Sequence, residues 1–165
     1  MANINFNDGF ETFTINGDSN RVIKINPKDA NILIRFDEAM RDLKSESERF
    51  SSIKVNADGS PVEQAGISLE ESTSRLGEFN QIISDKMDFI FNSDVKQSAF
   101  GRQSPLSIVG PDNRFLFEAF LEAALEAVCE KFETATKEME SHAGKYTGQY
   151  KQAADNGSKY PFPVK

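Results

Sequence analysis

The chain has 165 residues, of which 38% are hydrophobic and 14 are Phe, and its formal net charge is -7 at pH 7. That length suits one domain with a sizeable core. The acidity excludes a protein that wraps nucleic acid or lies on an anionic membrane, because both tasks set Lys and Arg against phosphate groups. The single Cys129 excludes an internal disulfide and reads as a small buried hydrophobe in a reducing compartment. Residues 1–10 lack the basic start and apolar run of a secretion signal, and no apolar segment approaches the ~20 residues that span a bilayer.

Residues 1–26 read as a small β-hairpin packed on, or extending, a helical body. Phe10, Phe13 and Ile15 alternate with polar residues, and Val22, Ile23 and Ile25 make a second β-like run. Between them, Asn16-Gly17 followed by Asp18-Ser19-Asn20 is a turn cluster. A lone two-stranded hairpin is marginal in water, so it must pack on helices or gain strands from another subunit.

The helical body is expected over residues 27–142. Asn26-Pro27 opens its first helix, with Asp29 at the positive end. Ile32, Phe36, Ala39, Met40 and Leu43 recur at helical spacing, and the helix continues, more polar, to about Phe50. Residues 54–67 are rich in Gly, Pro and small residues and read as an exposed loop. Asp58-Gly59 lacks the alternating oxygen ligands and terminal Glu of a calcium loop.

Ser68 and Glu71 form a capping box for a second helix. Leu76, Phe79, Ile83, Met87 and Ile90 mark one face, and Ile82, Phe89 and Phe91 widen it, which predicts burial between neighbours. Gly77 weakens this helix by ~1 kcal/mol relative to Ala. Asn92-Ser93-Asp94 ends it, and residues 95–100 form a short helical turn stopped by Gly101. Ser104-Pro105 opens one further turn, and Gly110-Pro111 with Asp112 opens the last helix. There Phe117, Leu121, Ala124, Leu125, Val128 and Phe132 line one side, with Leu116 and Phe120 extending the stripe to form core or subunit interface. The helix is expected to reach Glu140 and to end at His142-Ala143-Gly144. Residues 143–165 read as a flexible basic tail, with four lysines against one aspartate, a balance of +3. The whole predicts an α+β chain that is mainly α: three main helices, short helical turns and a small N-terminal β-hairpin.

No bond-making chemistry is expected. One His and one Cys cannot supply a zinc spacing, and no phosphate-binding loop or nucleophile elbow occurs. His142 reads as a solvated residue near a helix end. The expectation is a non-enzymatic protein with no catalytic residue, cofactor or metal. What the last helix does offer is a ladder, Glu118, Glu122, Glu126 and Glu130, at four-residue spacing. Like charges so placed repel by a few tenths of a kcal/mol per pair. The ladder is either a solvated face or a stripe for a basic partner, including the chain's own tail. The candidates for partner binding or self-association are therefore Phe117, Phe120, Leu121 and Leu125 on the apolar side and Glu118, Glu122, Glu126 and Glu130 on the acidic side.

From about residue 16 to residue 140, the order of a short hairpin, an acidic Phe-rich helical body, a Phe-Gly turn and the run FLFEAFLEAALEAV resembles the tail assembly chaperones of long-tailed bacteriophages, especially those of Gram-positive hosts. Phe100, Gly101, Phe117, Phe120 and Leu121 carry the resemblance. It implies a protein of the host cytoplasm that self-associates, coats and solubilises the tape measure protein, and recruits the tail tube protein. It also implies a longer, frameshifted form with a second domain, and absence from the finished virion. Two other readings stand beside it. One is a structural virion component of the tail or head-completion type, and the other is a small acidic effector that binds a host protein.

Overall fold

The structure is a computed structural model that describes residues 1–143, so the tail expected over 143–165 lies outside the described residues from 144 on. About half of the chain is helical, in four helices, with a small antiparallel hairpin near the N-terminus. The mainly α, α+β architecture is the one expected from the sequence. The elements run β1 (Glu11–Ile15), β2 (Asp18–Ile25), α1 (Ala30–Arg49), α2 (Leu69–Phe91), α3 (Lys96–Phe100), β3 (Ile108–Val109), β4 (Arg114–Phe115) and α4 (Leu116–Ala143). Among the described residues, no helix is long and apolar enough to cross a membrane.

In the first hairpin, Asn16 (φ 53°) and Gly17 (φ 74°) are both left-handed, the pattern of a tight hairpin turn that follows the strand twist. Asp18, expected in the turn, instead starts β2. Glu11 pairs with Ile25 and Thr14 with Val22, but Ile15 pairs with Asp18, so residues 19–21 bulge from β2. The inner face carries Ile23 and Ile25, both buried, and Phe13 and Ile15, both half-buried. Arg21 ties the strand to α3: its Nε donates to Ser98 O at 2.9 Å and its Nη2 to Ala99 O at 2.8 Å.

The first helix opens three residues later than expected. Asn26 does cap, but it caps a turn: its Oδ1 accepts from Lys28 N at 3.0 Å. Asp29 is the N-cap of α1, with its carboxylate accepting from Asn31 N at 2.9 Å. Helices α1 and α2 run antiparallel. Phe36 meets Phe91 near one end, Lys86 pairs with Asp42 at 2.6 Å midway, and Phe50 stacks on Phe79 near the other. Ser68 Oγ accepts from Glu71 N at 3.0 Å, the expected cap of α2, and left-handed Asn92 ends that helix.

Residues 54–67 carry many exposed side chains, yet they do not form a free loop. Val55 bridges Pro61, and Gln64 bridges Ile67. The segment docks on the chain before α4, where Ile108 N donates to Ala57 O at 2.8 Å and Ser107 Oγ to Asp58 O at 3.3 Å. Gly59 is buried against Ser104, and a Cβ built on it would stand 2.6 Å from Ser104 Oγ.

The largest departure concerns residues 108–115. Gly110-Pro111-Asp112 does not open the last helix; it turns a second small hairpin, in which Ile108 pairs with Phe115 and Val109 with Arg114. Left-handed Gly110 (φ 73°) and Asn113 (φ 53°) reverse the chain, which a helix start would not permit. Helix α4 therefore begins at Leu116. The amides of Leu116 and Phe117, which have no partner within a helix, donate to Ser107 O at 2.8 Å and Pro105 O at 3.0 Å.

The absence of Trp is met by two chains of phenylalanine rings. One runs Phe50, Phe79, Phe117, Phe115, and the other Phe36, Phe91, Phe120, Phe100, with neighbouring centroids 5.0 to 5.9 Å apart. Together they bind all four helices and the second hairpin into one core.

Candidate interaction surface

Helix α4 carries all eight residues singled out from the sequence, and the fold divides them. Phe117 and Leu121 are core residues, 3% and 0% exposed. Phe117 lies edge-on to Phe79 at 5.9 Å. Phe117 and Leu121 both belong to the core cluster of the chain itself. Phe120 and Leu125 are half-buried and packed against the core. Phe120 sits between Phe91 at 5.9 Å and Phe100 at 5.8 Å. Val128 and Cys129 continue the buried stripe, with Cys129 1% exposed.

The glutamates face outward in graded fashion. Glu118 is half-buried, while Glu122, Glu126 and Glu130 are exposed. Arg114, brought to the start of α4 by the second hairpin, forms an ion pair with Glu122. Lys131, one residue beyond the ladder, reaches instead to Glu11 of β1 at 3.6 Å. Among the described residues, no cation forms an ion pair with Glu126 or Glu130. These two carboxylates are the open part of the acidic face.

A second surface was missed from the sequence. The exposed large apolar residues include Ile4 (86%), Phe6 (76%) and Phe10 (58%), all in the segment ahead of β1. Ile34 on α1, Leu69 at the start of α2 and Phe89 on α2 are also exposed. Phe89, expected to widen the buried face of its helix, lies outside that face because the arc against α1 and α4 is already filled by Phe79, Ile83, Met87, Ile90 and Phe91. For Ile4 and Phe6 the sequence did hold a signal, since Ala2, Ile4 and Phe6 alternate with Asn3, Asn5 and Asn7 at the period of a strand.

A cleft of about 410 Å³ with mixed polar and apolar walls lies between α2, α3 and the turn that follows. Asn80, Ser84, Asp94, Lys96, Gln97 and Gln103 line it above Phe100. Asn80 Oδ1 is buried without a hydrogen-bond partner, leaving an acceptor for a water or a ligand donor. Among the described residues, no group of three or more His, Cys, Asp or Glu is placed to hold a metal ion. No known protein family, curated protein or solved structure matches the chain.

Proposed function

We propose that the chain is a non-enzymatic assembly chaperone of the phage tail type, which binds and solubilises the tape measure protein in the host cytoplasm and promotes tail tube assembly. The observation that carries this reading is the joint exposure of two kinds of binding surface. Glu126 and Glu130 offer charge with no ion pair among the described residues, and Phe10, Ile34, Leu69 and Phe89 offer apolar area. Reversible masking of apolar helices needs both, because apolar contact supplies affinity and an acidic exterior keeps the complex soluble. The contact falls on these residues rather than on Phe117 and Leu121, which the core already uses.

The test is co-expression of the full chain with successive segments of a long helical tape measure protein. At least one segment should become soluble and co-purify, and the complex should weaken as salt rises. A chain that leaves every segment insoluble overturns the reading.

The edge of β1 that has no neighbouring strand among the described residues favours a second reading, a structural tail or head-completion component whose hairpin joins a sheet between subunits. Mass spectrometry of purified particles separates the two. A stoichiometric quantity in the virion supports the structural component, and its absence supports the chaperone.

A further inference from the structure

Residues 1–8 lie ahead of β1 and belong to neither hairpin. They carry a period-two pattern, yet make no backbone-to-backbone hydrogen bond among the described residues. The reason is topological. The ladder of the first hairpin ends at the pair Glu11 and Ile25, after which β2 turns away through Asn26-Pro27 into α1. The arm ahead of β1 outruns its neighbour.

The same hairpin holds the complementary vacancy. Its sheet has two strands; β2 is held to α3 by Arg21, and β1 has no strand on its other side among the described residues. On its inner face, Phe13 and Ile15 stay half-buried, although Ile23, which pairs with Phe13, and Ile25 further along β2 are buried. A further strand beside β1 that turned Ile4 and Phe6 inward would complete that layer. The lengths agree, because β1 has five residues and the alternating segment 2–6 spans the same distance.

The arm is held away from its own β1. Asn26 Nδ2 donates to Asp8 O at 3.3 Å, at the far end of β2. Gly9 is left-handed (φ 78°), and a Cβ there would stand 2.8 Å from Asn26 Nδ2. The side chains of Asn7 and Asp8 accept from the amides of Gly9 and Phe10 and fix this bend. The clamp carries residues 1–7 beyond the hairpin instead of back along it.

We infer that residues 2–6 of one copy add as a strand to the open edge of β1 in a second copy, with the exchange made reciprocally. Two arms and two edges bury on the order of 1,200 Å² in total, the lower end of stable interfaces. Main-chain hydrogen bonds supply the pairing, and the half-buried side chains of Phe13 and Ile15 meet Ile4 and Phe6. The inference does not rest on the chaperone reading: a dimer with no affinity for tape measure segments keeps the first and removes the second.

The experiment uses the full chain in light scattering after gel filtration, over about 1 to 100 µM. Alongside it, an Asn5→Cys chain is mixed with a Thr12→Cys chain and treated with a short bismaleimide. The expected result is twofold mass and a cross-linked pair in the mixture. Phe6→Ser should restore the single-chain mass and leave the helical circular dichroism unchanged, because Phe6 lies outside the core. Single-chain mass at the highest concentration overturns the inference, as does a twofold mass that survives Phe6→Ser. A cross-link formed only within a chain carrying both cysteines shows the arm closing on its own β1 and also overturns it. So does single-chain protein whose arm binds neutral phosphatidylcholine vesicles.

Discussion

The guanidinium of Arg114 pairs with the carboxylate of Glu122, two turns into α4. This contact divides the glutamate ladder, because it leaves Glu126 and Glu130 exposed without an ion pair among the described residues. Glu122→Gln should therefore change stability by less than ~1 kcal/mol, because the lost pair is partly offset by relief of repulsion from Glu118 and Glu126. The double change Glu126→Lys/Glu130→Lys should alter stability by less than ~0.5 kcal/mol, since it relieves the repulsion between Glu122 and position 126 but leaves positions 126 and 130 alike in charge. Thermal melts at two salt concentrations check both values. If the acidic face meets a basic partner, the double variant should lose binding while keeping its melting temperature.

The apolar half of α4 makes a prediction of the opposite kind. Leu121 is fully buried, so Leu121→Ala should cost ~2–5 kcal/mol in urea unfolding. Phe120→Ala should fall near the lower end of ~3–5 kcal/mol, because the ring is half-buried but touches Phe91 and Phe100. Both variants should lose assembly only in proportion to lost folding. A Leu121→Ala chain that melts normally and fails to assemble would move that residue from the core to an interface.

Arg21 is a part-buried polar link between the first hairpin and the helices. Its two part-buried bonds end on the carbonyls of Ser98 and Ala99, and charged hydrogen bonds are each worth ~1.5–3 kcal/mol. Arg21→Ala should destabilise the chain by at least one such bond. Hydrogen exchange should rise first in residues 18–25 and 96–101, ahead of α1 and α2. Uniform loss of protection would mean that the hairpin and the body unfold as one unit.

The helices were legible because their signals are local. Apolar spacing placed α1 and α2, Ser68 capped where its chemistry said it would, and Gly101 stopped α3. What was not legible depends on partners distant in sequence. Residues 108–115 contain the same Gly-Pro-Asp punctuation that opens helices, and the hairpin they form instead is docked through residues 107 and 108 on Ala57 and Asp58. The site was legible by half. Periodicity marked Phe117 and Leu121 as apolar-face residues, but whether such a face meets the core or a partner depends on how many other helices are present to cover it. Ile4 and Phe6 went unread for the converse reason: a strand pattern with no neighbour in the chain has nothing to pair with in a local reading.

Asp58 gives the docked loop a pH dependence. The Ser60 hydroxyl, then the Ser60 amide, hold its carboxyl below the ordinary value of 3.8. A folded value below the unfolded one means the contribution is complete above pH 3.8 and fades as the pH falls through the folded value. Acid titration of the parent chain and Asp58→Asn should give curves that converge below pH 3.8. Curves that stay parallel to lower pH would remove Asp58 from the loop's stability.

Two glycines test the loop and the helix in opposite directions. Gly77 is an exposed position inside α2 with nothing near its missing Cβ. Gly77→Ala should stabilise the chain by about 0.5–1 kcal/mol, through helix propensity and a less flexible unfolded state. Gly59 is left-handed (φ 84°), and its Cβ would meet Ser104 Oγ at 2.6 Å and the main chain of Leu106 at 3.1 Å. A free hydroxyl would swing aside, but this one accepts from Leu106 N at 3.1 Å, so moving it breaks the turn that supplies Pro105 O and Ser107 O to the start of α4. Gly59→Ala should therefore destabilise by about 1–3 kcal/mol, and hydrogen exchange should loosen the first turn of α4 as well as the loop. Loosening confined to residues 54–67 would show that the loop is docked on α4's entry without supporting it.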